Sequence, residues 1–245
     1  MATDESILVI IPCYQEAAHI GTVVRDVAAI GLRAVVIDDG STDGTAEVAR
    51  AAGAEVIVHE KNSGKGAAVA TGVRRAMQEP SCEAFVMIDG DGQHLPAEIP
   101  RFVAEFRQCH ADFIIGTRMA DTRAMPPARR RTNRFMSALL SWQAGRKISD
   151  TQCGFRLLSR AVFPIALECA SGGFSAESEI LCQLSIRGFS IREVPVSTIY
   201  GDEKSKIRPG RDTIRFVKML LHFRAERRKL LKARTSGETR GGIKS

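Results

Sequence analysis

The chain has 245 residues, with 35 Lys and Arg against 28 Asp and Glu, and a formal net charge of +7. The charge is uneven, at +10 over residues 203–245 and −3 over residues 1–202. That pattern excludes a nucleic-acid coat spread over the whole surface and points to a local anionic partner for the C-terminal segment. The length suits one large α/β domain with a real core. No apolar run approaches the roughly 18 residues of a membrane span. Asp4 and Glu5 precede only a short apolar run, which does not fit a signal peptide. The six cysteines are scattered without a C-x-x-C pair and read as reduced thiols of a cytoplasmic protein.

Short β-branched runs alternate with helical stretches through the first half. Strands are expected at Ile7–Ile11, Ala34–Ile37, Glu55–His59, Ala84–Ile88 and Asp112–Gly116, with helices over about 17–29, 44–52, 65–78 and 97–109. This is the spacing of βα units, which give parallel strands and ligand sites at their carboxyl ends. Residues 118–134 hold six arginines, one acid and the pair Pro126-Pro127, and read as a basic loop. A helix over about 133–145 follows, with Trp142 expected in the core. Then come a short strand near Cys153–Leu158, helices near 160–169 and 176–187, and a strand at Ser190–Val194. Residues 211–234 read as a basic amphipathic helix: Ile214, Phe216, Val217, Leu220 and Leu221 form an apolar face, and Arg224, Arg227, Arg228 and Lys229 extend it. Residues 235–245 are expected to be a disordered tail.

Acids and turn residues stand just beyond three of the strands. The first runs into Pro12-Cys13-Tyr14-Gln15-Glu16, the second into Asp38-Asp39-Gly40-Ser41-Thr42-Asp43-Gly44, and the fourth into Asp89-Gly90-Asp91-Gly92-Gln93-His94. No glycine-rich phosphate loop follows the first strand, so a nicotinamide or ATP site is not indicated. Carboxylates at i and i+2 of an extended segment face one side. Asp89 and Asp91, with Gln93 two residues on, therefore suit Mg²⁺ or Mn²⁺. Taken alone, D-x-D is more readily a polar turn with aspartates bonded to nearby N–H groups. Asn62-Ser63-Gly64-Lys65-Gly66 before an Ala-rich helix suits an anion, or simply a glycine turn.

In order and spacing, P-x-Y-x-E, D-D-G-S-T-D-G-T, N-x-G-K-G, D-x-D-G-Q-H-x-P, Gly116–Arg118 and Asp150–Arg156 form one set. Over about residues 6–209 the sequence resembles the family 2 inverting glycosyltransferases, in their dolichol-phosphate mannose synthase-like branch. The resemblance implies a glycosyltransferase A fold, with a Rossmann-like, mostly parallel sheet flanked by helices in one catalytic domain over 1–210. It implies that Pro12, Tyr14, Glu16 and Asp39 hold the nucleoside of a nucleotide sugar, with Lys65 nearby. It implies that Asp89, Asp91 and Gln93 hold a divalent metal and the diphosphate. Arg118, Arg131, Arg134 and Lys206 resemble positions that receive an acceptor phosphate, and Asp150 and Arg156 organise the acceptor side. Gln15 replaces the asparagine common in P-x-Y-N-E, and Gly90 replaces the frequent alanine of D-A-D. Branch members often carry C-terminal transmembrane helices, and this sequence has none.

The implied reaction is inverting transfer of a hexose from GDP-mannose or UDP-glucose to a polyprenyl phosphate. A glycan hydroxyl acceptor and a non-catalytic nucleotide-sugar-binding protein are the alternatives. An ionised phosphate needs no general base, whereas a hydroxyl needs a carboxylate to take its proton. The basic tail is expected at an anionic membrane surface, or on a membrane protein within it, rather than on nucleic acid. That places the protein peripherally on the inner face of the membrane.

Overall fold

The computed structural model describes residues 4–123, 125–169, 176–199 and Phe223. Most of the arginine-rich stretch expected as a loop, the strands and most of the candidate site fall within them. Lys206 and the proposed basic helix over 211–234, apart from Phe223, lie outside the described residues.

Seven strands form one sheet: β1 (Ile7–Cys13), β2 (Arg33–Asp38), β3 (Glu55–Val58), β4 (Ala84–Met87), β5 (Phe113–Thr117), β6 (Arg156–Ser159) and β7 (Ile191–Pro195). Their order is β3-β2-β1-β4-β6-β5-β7. β1 pairs in parallel with β2 and β4, β2 with β3, and β5 with β7, while β6 runs antiparallel to both β4 and β5. The sheet is therefore mostly parallel, as expected, with one reversed strand in the middle. Every residue of β1, β4, β5 and β6 is buried. Such strands carry continuous apolar runs because helices cover both faces.

The helices are α1 (Ala17–Ala29), α2 (Thr45–Ala51), α3 (Lys65–Met77), α4 (Ile99–Cys109), α5 (Pro127–Ala144), α6 (Phe163–Cys169) and α7 (Ala176–Arg187). α1 buries Ile20, Val23, Val24 and Val27, the i, i+3, i+4, i+7 stripe of a helix on a sheet. α3 approaches β1 closely because Gly72 has no Cβ; one added there would run into Ile10.

Two expectations need correction. Residues 127–134 are helical, so the basic run is the start of α5 and not a loop. The proline pair begins the helix instead of preventing it. Pro127 sits in the first turn, where its missing N–H is not needed, and Pro126 is extended at φ −53, ψ 135. Trp142 is 60% exposed, with Phe135 at 67% on the same helix, so the aromatic side of α5 faces outward and not into the core. The side of α5 that packs carries Asn133, Ser137 and Leu140, with Leu140 meeting Cys182 and Phe223. Among the described residues no helix is long and apolar enough to cross a membrane.

Candidate active site

The strand order reverses between β1 and β4. In such sheets the crevice beyond the strand ends at the reversal is where a ligand is received. The Pro12–Glu16 segment leaves β1 there, and Asp89–His94 leaves β4 beside it.

On the β1/β2 side, polar groups tie three segments together. Asp39 is 3% exposed. Its carboxylate accepts the N–H groups of Ser63 at 3.0 Å and Gly64 at 2.7 Å, and meets His59 Nδ1 at 2.7 Å. The second D of D-D-G therefore positions the N-x-G-K-G turn, a task the sequence did not reveal. Ala17 N donates to Asp43 and Glu16 N to Thr45, so the D-G-T stretch caps α1 across the gap. Gln15 has a left-handed φ of 58°, where asparagine is favoured over glutamine. The strain is offset by its amide donating to Thr42 Oγ1 at 2.9 Å and its backbone N–H to Ser41 Oγ at 2.9 Å. Pro12 is buried within β1, opposite Ile37, while Tyr14 is 39% exposed at the rim with Glu16 half-buried beside it.

On the β4 side, Asp89, Asp91 and Gln93 are all half-buried. Gln93 N donates to Asp91 Oδ1 at 3.0 Å, which turns the loop back on itself. Two absent side chains shape it. A Cβ on Gly154 would collide with the Asp89 carboxylate, so the G-F-R glycine makes room for that acid. A Cβ on Gly90 would collide with Cys13 Sγ, which explains the departure from D-A-D: the thiol of P-C-Y fills the alanine's space. Gly90→Ala is expected to cost about 1–3 kcal/mol by overpacking. Adding Cys13→Ala should recover most of it, and a double-mutant cycle in urea with no coupling would rule out this exchange of volume.

A string of alternating charges leads inward from Asp89. Lys65 Nζ lies 2.6 Å from Asp89 Oδ1 and 2.7 Å from Glu177 Oε1. Arg156 Nη2 lies 3.2 Å from Glu177 Oε2, and Arg156 Nη1 donates to the Glu177 carbonyl at 2.9 Å. Arg156 is 1% exposed and also bonds the carbonyls of Thr151 and Cys153. Burial pushes the Asp89 and Glu177 carboxyls up, but Lys65 foremost pulls both below the ordinary value. Burial pulls Lys65 down, but Asp89 and Glu177 hold its ammonium well above the usual lysine range. All three groups stay charged at neutral pH.

A second buried pair stands alongside. Arg118 Nε and Nη2 grip Asp150 at 2.7 and 2.9 Å, and Arg118 N adds a bond at 3.1 Å. Asn133, in the second turn of α5, donates to the same carboxylate at 2.8 Å. Burial raises the Asp150 carboxyl, and hydrogen bonding and charge from Arg118, helped by Asn133, bring it below the ordinary value. Asp150 thus fixes Arg118 and the start of α5, the turn that presents Arg131 and Arg134 on the exposed side.

His94 lies between the two clusters. Its ring packs on Phe155 with centroids 5.4 Å apart, and its buried Nδ1 has no hydrogen-bond partner among the described residues. Burial pushes the imidazole down to about 4; Asp89 opposes this, and Arg118 and Lys65 reinforce it. The folded protein therefore excludes a proton that the unfolded chain binds below about 6.5. Stability is complete above that value and is lost as pH falls toward 4, by about 3 kcal/mol in all. Urea unfolding between pH 7 and 4.5 should show this loss in the wild type and a flatter profile in His94→Gln; equal slopes would refute it.

Tyr14, Glu16, Asp39, Asp89, Asp91, Gln93 and Arg118 thus follow the carboxyl ends of β1, β2, β4 and β5, with Lys65 bonded to Asp89, while Lys206 lies outside the described residues. The sequence did not single out the grip of Glu177 on Lys65, the cradle at Gly154, or His94. For Glu177 the available signal was two acids, Glu177 and Glu179, in the first turn of one helix, which a helix dipole explains equally well.

Residues 8–164 match the family model described as Glycosyl transferase family 2. The Haloferax volcanii protein named Glycosyltransferase AglJ is 34% identical over 200 residues, which are 80% of this chain and 64% of that protein. The chain thus spans less than two thirds of that relative's length. The dolichyl-phosphate hexose transferase of the same organism is 32% identical, over 79% of this chain and 83% of its own. A glucosyl-3-phosphoglycerate synthase from Mycobacterium tuberculosis, crystallised with Mn²⁺, UDP-glucose and phosphoglyceric acid, superposes with a TM-score of 0.71 at 21% identity, over 89% of this chain and 79% of that one. The chain belongs to glycosyl transferase family 2. It is an enzyme of that family, with the glycosyltransferase A-like fold.

Proposed function

We propose that this enzyme transfers a hexose from a nucleotide sugar to a polyprenyl phosphate, with inversion at the anomeric carbon. The observation that carries the reading is a pair of oppositely charged stretches on elements tied together by buried side chains. One is the acidic loop Asp89–Gln93. The other is the arginine-rich start of α5, joined to that loop through His94, Arg118, Asp150 and Asn133. The first suits a cation with a diphosphate and the second a phosphate monoester. The relative named for dolichyl-phosphate hexose transfer supports the lipid acceptor.

The residues fit Mg²⁺ or Mn²⁺. Asp89, Asp91 and Gln93 offer hard oxygen donors, and Gly154 makes the room that the Asp89 carboxylate occupies. Among the described residues no three of His, Cys, Asp or Glu form a metal cluster, so diphosphate and water would complete the shell. Such an ion supplies Lewis-acid neutralisation of the leaving diphosphate. Tyr14 and Glu16 line the nucleoside side, and Asp39 sets the turn that delivers Lys65. An acceptor phosphate oxygen attacks the anomeric carbon as the bond to the nucleoside diphosphate breaks, the electron pair leaving on the diphosphate. Arg131 and Arg134, on the exposed side of α5, would balance the acceptor's charge, while Arg118, held by Asp150, braces the start of that helix; no side chain is required as base. Ile199 N donates to the Gln93 carbonyl at 3.0 Å, so the stretch after β7 runs beside the acidic loop. Residues 211–234 would rest on the anionic inner face of the membrane, alone or with a partner membrane protein.

The test is a screen of purified full-length chain with Mn²⁺ or Mg²⁺, GDP- and UDP-hexoses, and polyprenyl phosphate or glycan acceptors. Organic-extractable, acid-labile glycolipid is expected with one donor. Transfer only to a glycan, or donor hydrolysis alone, would overturn the acceptor.

A further inference from the structure

Lys65 holds one oxygen of the acid on which a divalent cation would depend. Its ammonium is 2.6 Å from Asp89 Oδ1, on the acid assigned above to the divalent cation, and Glu177 holds it from the other side at 2.7 Å. Its backbone has little freedom to withdraw. Gly64 N, immediately before it, is fixed on Asp39, and Lys65 is the first residue of α3. From Arg156 through Glu177 and Lys65 to Asp89 the string of charges is already balanced. A divalent ion brought to Asp89 would meet an ammonium on the same carboxylate, with only Asp91 as a further nearby acid on that loop.

We infer that Lys65 is an internal cation that competes with the metal for Asp89, and that the donor's diphosphate relieves the competition by giving the ammonium a new anionic partner. Metal and nucleotide then bind as one unit, each poorly alone. Lys65 acts here as a positioning residue that holds Asp89 until metal and nucleotide arrive together. Glu177 keeps Lys65 within reach when Asp89 changes partner. This rests on the assignment of Asp89 and Asp91 to the metal.

The measurement is Mn²⁺ binding to the full-length chain, read from the electron paramagnetic resonance signal of free aqueous Mn²⁺, with and without UDP or GDP. Wild-type protein should bind Mn²⁺ weakly alone and at least about tenfold more tightly with the matching nucleotide. Lys65→Met, and Lys65→Gln as a neutral variant that still donates to carboxylates, should tighten binding of Mn²⁺ alone by about tenfold and shrink the gain from nucleotide. Glu177→Gln should shift binding of the metal alone in the opposite direction, because it removes a negative charge and leaves Lys65 wholly on Asp89. Circular dichroism melts establish that each variant is folded. Metal-only affinity that is unchanged or lower in the folded Lys65 variants overturns the inference. The acceptor reading fails separately: the predicted Mn²⁺ behaviour with no glycolipid product sinks the lipid acceptor alone, and glycolipid product without a Lys65 effect sinks the competition alone.

Discussion

Asp91→Ala is expected to lower the proposed sugar transfer by about 10³-fold, most of it in kcat. The residue has two tasks in the proposed mechanism. Its charge helps hold the cation that neutralises the departing diphosphate, a contribution largest in the transition state. Its Oδ1 also receives the Gln93 N–H and so shapes the loop that offers the third oxygen donor. Asp91→Asn separates the two, because an amide oxygen still accepts that bond. It should retain the fold of the loop and lose about 10²-fold. Steady-state transfer with saturating metal measures both. Wild-type melting temperature with activity within tenfold of wild type in Asp91→Ala would remove Asp91 from the machinery.

The largest expected effect on stability comes from Asp150→Ala. Asp150 is fully buried and accepts from Arg118 three times, from Asn133 and from Gln152 N. Removing it leaves the Arg118 guanidinium, itself 6% exposed, without its carboxylate. Breaking one partner of a buried pair typically costs about 3–5 kcal/mol, more than the pair contributes as a whole. Asp150→Asn should cost less, because it keeps an acceptor. Urea unfolding measures both, and a loss below about 1 kcal/mol would mean that Arg118 finds another partner. At temperatures where the variant remains folded, the start of α5 should loosen first, seen as faster amide exchange over its first two turns.

Much of the sheet was legible in the sequence because strands buried on both faces must be apolar throughout. Ile7–Ile11 and Ala34–Ile37 could hardly be anything else. The acids beyond them were legible as site candidates because polar residues at the mouth of such strands need a reason. What the sequence concealed was partnership. Asp39 stands in a motif that suggests a nucleoside contact, yet its carboxylate meets backbone N–H groups 24 and 25 residues away. The tie of Glu177 to Lys65 spans more than a hundred residues and has no periodic signature. Pro126-Pro127 was misread because a proline pair signals a break, and only the backbone direction shows that it opens a helix. The reason for Gly90 in place of alanine lies in Cys13, whose thiol takes that space from the end of β1 and leaves no signature in the sequence.

β6 carries a further consequence. In a wholly parallel sheet, the connection entering a strand and the connection leaving it lie on opposite rims. Arg156, the first residue of β6, stands opposite Met87, the last of β4. Reversal thus brings an incoming connection, with Asp150 and Gly154, to the rim where β4 sends its outgoing one. Two stretches about sixty residues apart in the chain become facing lips of one opening, with no excursion around the sheet. The lip with Asp89 and Asp91 is hung on a strand's exit and the lip with Asp150 and Gly154 on a strand's entrance. The rigid ladder between Met87 and Arg156 sets the distance between them, so neither loop has to.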